Sequence, residues 1–517
     1  MKSSHKTAGI YNRWLFTLGG GEQVTFAYAE ALRDAGYKTT LVTHKKVDVE
    51  SAEKKMGVSL TDIELRYEPL RPVTELSGIS QEYDLFINTS YLDYFPNRSS
   101  NGFLSVFFPA EIYLSLWEWC KRTIFLPSLK LLFIYPTDYS GFSHDTFEEG
   151  KICKWLGESS EISFSNQTIY SLAIELHVPT FAVSIVESLV FFINKKTVSP
   201  DRKRLNHTTN TLRYFFCSSE PIVNFAITHK KWKIQKISLV KLTIPKWRYY
   251  LYNIFKLLFP KWEMRLHGGP GVTSLSDIQS YKRIITISKF CQYWIKQYWG
   301  LESEVLYPPV NTSVFLPAKN KQNWICHIGR FFVTGHSKKQ LELIRVFKEL
   351  VDSKQLIDWQ LHLIGSVHEG ANHEAYYKAC LNEALGYPIQ FHCEAPFVEV
   401  REVLSKSKIY WHATGLDEDQ KKQPILMEHF GITTVEAMAS GCVPIVINAG
   451  GQPEIVIAES GFTWNNREEL KEYTARVANN SELRQQLSIA AKKRSAYFSK
   501  KKFRKRFLKI LKSNQKT

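Results

Sequence analysis

Glu428 and Glu436 stand eight positions apart in the run E-H-F-G-I-T-T-V-E, with Phe430 and Gly431 between them. An ionised carboxylate accepts two hydroxyl groups at once, which suits the edge of a ribose or a hexose. Gly431 has no side chain to hold other groups off, so the backbone of its loop can approach a ligand closely. Thr433 reads as the N-cap of a helix starting near Thr434, with free backbone N–H groups facing the loop. Such an end attracts hydroxyl oxygens and phosphates. On this reading Glu428 lies in the loop and Glu436 in the first helical turn, and the two address different parts of one ligand. Two other readings fit the same residues. Thr433-x-x-Glu436 is also a capping box, in which Glu436 merely satisfies a backbone amide. A pair of acids also serves glycoside hydrolysis.

The surrounding sequence favours a phosphate-bearing ligand. Residues 443–447 are a continuous apolar run, as expected of a parallel strand covered on both faces. Ligands of open α/β sheets bind beyond the carboxyl ends of such strands, where the Gly450-Gly451 turn falls. Further upstream, residues 324–328 read as a buried strand, followed by Gly329-Arg330 and a loop ending Gly335-His336-Ser337-Lys338-Lys339. The spacing of Leu341, Ile344, Phe347 and Leu350 predicts an amphipathic helix after it. Arg330 offers a planar fork and Lys338 a point charge, and together they can converge on a diphosphate. Lys339 reads as part of a solvated basic turn. Near the N-terminus a strand over 8–11 precedes Leu18-Gly19-Gly20-Gly21-Glu22 and a helix carrying Val24, Ala27, Ala31 and Leu32 on one face. Strand, glycine turn and helix form a phosphate-approach geometry, with Gly20 and Gly21 at the turn.

These pieces, taken in order with Ile284-Ile285-Thr286-Ile287-Ser288-Lys289-Phe290 and Val305-Leu306-Tyr307-Pro308-Pro309-Val310-Asn311, resemble the family-4 retaining glycosyltransferases of the GT-B fold. The Tyr-Pro-Pro-Val stretch and the glycine-rich start are similar to mannosyltransferases that extend lipid-linked oligosaccharides. The resemblance implies transfer of a hexosyl group from a nucleotide diphosphate sugar to a glycan or lipid-linked acceptor, with retention at the anomeric carbon. It assigns Arg330 and Lys338 to the diphosphate. Glu428 and the backbone of Phe430, Gly431, Ile432 and Thr433 go to the donor sugar, Glu436 to the ribose, and Gly20 and Gly21 to the approach of donor or acceptor. It implies no metal and no cofactor beyond the nucleotide sugar, since cationic side chains and a helix end neutralise the diphosphate. In one respect the chain departs from the pattern. Where many relatives carry a histidine after an N-terminal strand, this chain reads Ser105-Val106-Phe107-Phe108-Pro109, so no catalytic base is assigned. His267, in a glycine-rich loop, is a substitute to consider. The rival reading is an inert nucleotide-sugar-binding or glycan-binding protein that works through an inserted β module.

The rest of the chain sets the frame. With 517 residues and an apolar fraction of 44%, the protein has room for two or three separate cores. The expected fold class is α/β with two Rossmann-like domains facing a cleft. The expected boundaries are 1–136 for the first part of the N-terminal domain, 137–245 for an antiparallel β insertion and 246–307 for the rest of that domain and a linker. The donor-binding domain follows over 308–478 and a basic helical segment over 479–517. The insertion is inferred from alternating apolar residues over 169–178, with further short strands near 181–186, 189–193, 212–216, 222–227 and 234–244 and no long amphipathic helix between them. The charged segment 415–427 reads as a mobile lid.

Eight scattered cysteines without a C-x-x-C pair predict free thiols and a cytoplasmic setting, and no apolar run reaches membrane-spanning length. The formal net charge of +17 concentrates in 491–517, where Phe503, Phe507, Ile510 and Leu511 recur at helical spacing among lysines and arginines. A basic amphipathic helix of this kind suits an anionic membrane surface, or packs its apolar stripe back on the N-terminal domain. The segment 246–262 mixes aromatic and basic residues in the manner of interfacial segments. No nucleic-acid motif accompanies the basic residues.

Overall fold

The computed structural model describes residues 6–513, apart from 69–72, 92, 113–135, 149–150, 165–170, 178–188, 207–210, 221, 230–235, 243–253, 255–273, 334 and 368–370. His267 and the segment 246–262 therefore lie almost wholly outside the described residues. The chain divides into one unit of residues 1–112 and 273–517 and a second of residues 113–272.

The first unit is built on two parallel sheets. In the N-terminal one, seven strands run in the order Glu304–Val305, Arg283–Thr286, Asn101–Val106, Leu85–Asn88, Thr7–Tyr11, Lys38–Thr43, Ile63–Tyr67. Every neighbouring pair is parallel. The order reverses between Thr7–Tyr11 and Leu85–Asn88, which opens a crevice at the carboxyl ends of those two strands. The second sheet has six strands in the order Ile389–Cys393, Gln360–Gly365, Gln322–Ile328, Ser407–His412, Val443–Ile447, Phe462–Trp464, again all parallel. Its reversal falls between Gln322–Ile328 and Ser407–His412. The apolar run 443–447 is buried at every position, as a strand covered by helices on both faces requires.

The second unit holds a nine-stranded sheet spanning Pro136–Glu148 to Lys236–Leu242. Its pairings are antiparallel throughout. Alternate side chains such as Leu172, Ile174 and Leu176 enter a core shared with Phe191, Phe216 and Phe225. Residues 181–186, read as a strand from the sequence, lie outside the described residues.

The last helix, Lys500–Ser513, completes the N-terminal domain. Phe503, Phe507 and Leu511 are buried in the same core as Ile10, Ala29 and Leu32. Tyr28 meets the rings of Phe503 and Phe507 at 5.2 and 4.8 Å in edge-on geometry. Of the two sequence readings for the apolar stripe, packing against the first domain holds. Lys501, Lys502, Lys505, Lys509 and Lys512 remain exposed on the opposite side. Lys500 donates to the carbonyls of Met56 and Gly57 at 2.8 and 2.5 Å, which anchors the start of the helix.

Replacing Phe507 with Ala should therefore destabilise this unit by about 3–5 kcal/mol. Lys505→Ala, on the exposed side, should leave stability within about 0.5 kcal/mol. Denaturant unfolding of the two variants checks the difference.

Candidate functional site

The switch point of the second sheet brings several of the sequence-predicted residues together. Gly329 follows the Gln322–Ile328 strand, and a Cβ there would overlap the Lys338 side chain at 2.5 Å. The missing side chain lets Lys338 cross the strand end, and its Nζ reaches Glu428 Oε2 at 2.5 Å. His412, the last residue of Ser407–His412, adds Nε2 at 3.3 Å from the same oxygen. Burial alone would raise the Glu428 carboxyl, but the Lys338 charge and the His412 hydrogen bond outweigh it. The group is held well below the usual carboxylate range.

Imidazoles surround this ion pair. Burial pushes His327 and His429 down to about 3. Burial likewise lowers His412 and His336, with the Lys338 charge acting in the same direction. These rings stay neutral near pH 7, which leaves Lys338 and Glu428 as the charges at the strand ends. His327 carried no signal in the sequence, because a buried histidine in a strand looks like any other strand residue.

The acidic loop is positioned by the glycine turn after the next strand. Gly451 N–H donates to the Glu428 carbonyl at 2.8 Å. A Cβ at Gly450 would collide with that same carbonyl, and one at Gly451 would approach the His429 carbonyl to 2.5 Å. Gln452 completes the clamp, donating to the Phe430 carbonyl at 3.1 Å and accepting from the Thr434 hydroxyl at 2.8 Å. Its role was not legible, since a glutamine after two glycines has no sequence signature.

Three sequence readings need correction here. The helix is Ile432–Ala439 and its N-cap is Gly431, at φ 117°, not Thr433. The Thr433 hydroxyl instead pairs with Tyr410 at 2.8 Å. Gly431 takes a left-handed backbone, and a Cβ there would run into the Gln452 amide. Glu436 consequently sits in the second turn, and the capping-box reading fails. Burial without a counter-charge pushes its carboxyl up to about 8. No side chain caps the helix start, and the N–H groups of Thr434 and Val435 turn back to the Gly431 carbonyl at 3.1 and 3.4 Å.

The remaining predicted residues fall into place differently. Arg330 is exposed, with its guanidinium carbon 5.4 Å from the Phe332 ring centre, and it is not paired with Glu428 or Glu436. Its charge does act on His336, as do those of Lys338 and Glu428. Lys339 is no free basic turn: its Nζ pairs with Glu418 at 2.7 Å. In the segment 415–427 Asp417 pairs with Arg467 at 2.5 Å and Gln420 accepts the Gly450 N–H at 3.3 Å. Phe430 is buried against Tyr307 and Phe498, which leaves its backbone and not its ring toward the loop.

The N-terminal glycines are the first residues of the helix Gly20–Arg33, whose capping carboxylate, Glu22, takes the Gly19 N–H at 2.8 Å. A Cβ on Gly20 would lie 3.0 Å from Ile432 Cδ1, and one on Gly21 would lie 3.4 Å from the Phe107 ring. Gly20 thus lets the N-terminal turn approach Ile432 of the acidic loop, whereas Gly21 faces Phe107 of its own domain. Phe108, in the stretch where relatives carry a histidine, stacks on His429 with centroids 4.3 Å apart. Glu454 joins the domains again, accepting the N–H groups of Lys289 and Phe290 at 2.8 Å each and the Tyr307 hydroxyl at 3.0 Å. Among the described residues no cluster of histidine, cysteine or acidic side chains could hold a metal ion.

Residues 312–494 match the model of the family described as Glycosyl transferases group 1. The chain is 25% identical over 232 residues to a Dictyostelium discoideum protein named GDP-Man:Man(3)GlcNAc(2)-PP-Dol alpha-1,2-mannosyltransferase, covering 42% of this chain and 44% of that one. To the Homo sapiens protein of the same name it is 27% identical over 255 residues, covering 46% and 48%. The matches thus span less than half the length of these relatives. Among solved structures, a Rickettsia africae glycosyltransferase aligns with a TM-score of 0.52 at 12% identity, over 99% of this chain and 98% of that one. Anabaena Alr3699/HepE in complex with UDP and glucose aligns with a TM-score of 0.51 at 11% identity, over 98% and 100%. The fold is GT-B.

Glu436 supplies a pH test. Its folded-state pKa of about 8 lies above the ordinary 4.5, so the native state binds the proton more tightly than the unfolded chain. The stability this contributes is fully present below pH 4.5 and is lost as pH rises through 8. The thermal midpoint of ligand-free protein should fall across that window relative to Glu436→Gln, as measured by calorimetry at matched ionic strength.

Proposed function

We propose that the chain is a retaining hexosyltransferase that moves mannose from GDP-mannose to a glycan or lipid-linked saccharide. The observation that carries this reading is the Lys338–Glu428 pair at the switch point, beside a desolvated Glu436 and an uncapped helix start. The choice of mannose and guanine rests on the names of the sequence relatives.

In this reading the ion pair is the resting state. An arriving diphosphate draws Lys338 toward its oxygens, with Arg330 closing from the exposed side, and Glu428 turns to the hexose hydroxyls. Glu436 takes ribose hydroxyls, which supply hydrogen-bond partners to its half-buried carboxyl group. As the glycosidic bond lengthens, negative charge grows on the departing diphosphate. Contacts from Lys338 and Arg330 strengthen with that charge, and only such differential binding accelerates the chemistry. Retention follows if the acceptor attacks on the face the diphosphate leaves and a phosphate oxygen takes its proton. No metal is needed for that charge balance. The exposed lysines of Lys500–Ser513 suit an anionic membrane surface presenting a lipid-linked acceptor.

The phenylalanines at Phe107 and Phe108 favour a second reading, an inert binding protein, and one experiment separates the two. Full-length protein is incubated with GDP-mannose and a mannose-terminated glycolipid, and GDP release and anomeric configuration are followed by NMR. The enzyme reading expects turnover with an α-linked product, whereas an inert protein protects against thermal unfolding but releases no GDP above background. Arg330→Ala, which removes an exposed side chain, should lower kcat by about 10²–10³, as should Lys338→Ala. A kcat within twofold of wild type for Arg330→Ala would remove it from the diphosphate site.

A further inference from the structure

The helix Lys289–Trp299 follows a strand of the N-terminal sheet, yet part of its first turn is satisfied from the other domain. An α-helix leaves its first four N–H groups without partners inside the helix. Ser288 takes two of them here: its hydroxyl accepts the Cys291 N–H at 3.1 Å and its carbonyl the Gln292 N–H at 2.9 Å. The other two, on Lys289 and Phe290, donate to the two carboxylate oxygens of Glu454 at 2.8 Å each. A negative charge at that end also meets the positive pole of the helix. Tyr307, in the segment joining the two sheets, adds its hydroxyl to Glu454 at 3.0 Å. The Tyr307 ring in turn lies 5.8 Å from the ring of Phe430 in the acidic loop.

Glu454 stands on the one-turn helix Gln452–Ile455, and both ends of that turn are fixed. At its start Gly451 and Gln452 hold the acidic loop through the carbonyls of Glu428 and Phe430. At its end the Arg494 guanidinium donates to the carbonyls of Glu454 and Ile455 at 2.8 and 3.2 Å. A single turn gripped in this way has no slack. A shift of the Glu454 carboxylate is therefore passed to the backbone of Glu428. Phe290 closes the circuit from the other side. Its N–H donates to Glu454, and its ring lies in a stacked arrangement with His429, centroids 6.5 Å apart. The half-buried Glu454 carboxylate is thus directed at the N-terminal domain, while its backbone is tied to the loop that carries Glu428.

We propose that Glu454 is a positioning residue for the transfer: its grip on the helix Lys289–Trp299 sets where the acidic loop presents Glu428, and a ligand on the acidic loop alters that grip in return. Coupling between two sites is reciprocal, so each end reports on the other. The word transfer rests on the hexosyltransferase reading, and the coupling itself is testable without it.

The test is amide hydrogen exchange of the full chain, followed by mass spectrometry, with GDP as the probe. In Glu454→Ala, exchange should quicken by about tenfold in the peptide covering 288–292 and also in the one covering 427–436, while the buried strand 443–447 exchanges as in wild type. Saturating GDP should slow exchange at 288–292 in wild type and no longer do so in Glu454→Ala. Should Glu454→Ala fail to fold, Tyr307→Phe, which removes one bond to the same carboxylate, should show both effects at smaller size. With GDP-mannose and a mannose-terminated glycolipid, Glu454→Ala should lower kcat by about 10² and leave the donor KM within about threefold. Glu454→Gln, which keeps one acceptor oxygen, should recover part of that loss. Faster exchange confined to 288–292, or a GDP response there that survives in Glu454→Ala, overturns the proposal. A wild-type chain that neither answers GDP nor turns over would count against the donor reading, and the exchange map of Glu454→Ala would still decide the coupling.

Discussion

The candidate site depends on keeping one ammonium and one carboxylate together at the end of a parallel sheet, within a ring of uncharged imidazoles. Lys338 reaches Glu428 only because Gly329 leaves the strand end bare, and Glu428 is presented only because Gly450 and Gly451 allow two backbones to touch. Burying a charge pair is costly, and a pair of this kind is weak evidence for stability. Its value lies in being exchangeable. Either charge can be handed to a ligand of opposite sign, or to hydroxyl groups, without a large rearrangement of the fold.

The same loop also ties the two Rossmann-like domains together. Glu454, three residues past the glycine pair, caps the helix Lys289–Trp299 with both carboxylate oxygens. Ile432 faces Gly20, and His429 stacks on Phe108. Residues that shape the donor crevice are therefore those that feel the approach of the other domain. A change in domain closure would be transmitted to Glu428 through backbone contacts and would need no separate relay.

Much of this was legible because it follows from local chemistry. The buried strand at Val443–Ile447 and the alternation in Ser171–His177 both express rules of a few residues' range. The acidic residues and Lys338 stood out because charged side chains among apolar strands call for a reason. What stayed hidden was the cooperation of residues far apart in the chain. Gln452 became the clamp on the acidic loop through contacts some twenty residues back, and His412 and His327 gained their setting from burial alone. Thr433 misled because a threonine before an apolar run is the ordinary sign of a cap. Here the positive φ of Gly431 moved the helix start two residues earlier. The charged segment 415–427 is largely exposed, as its composition suggests, with Asp417 and Glu418 paired to Arg467 and Lys339 through contacts that only the fold brings about.

The position of Lys500–Ser513 bears on how the chain matures. Phe503, Phe507 and Leu511 fill a core shared with Ile10, Phe26 and Leu32, far upstream in the chain. The apolar face of the helix Gly20–Arg33 stays uncovered until residues 500–513 have been made and fold back across the 466 residues between the two helices. Loss of residues 500–513 would accordingly be felt in the N-terminal Rossmann-like domain, far from them in sequence.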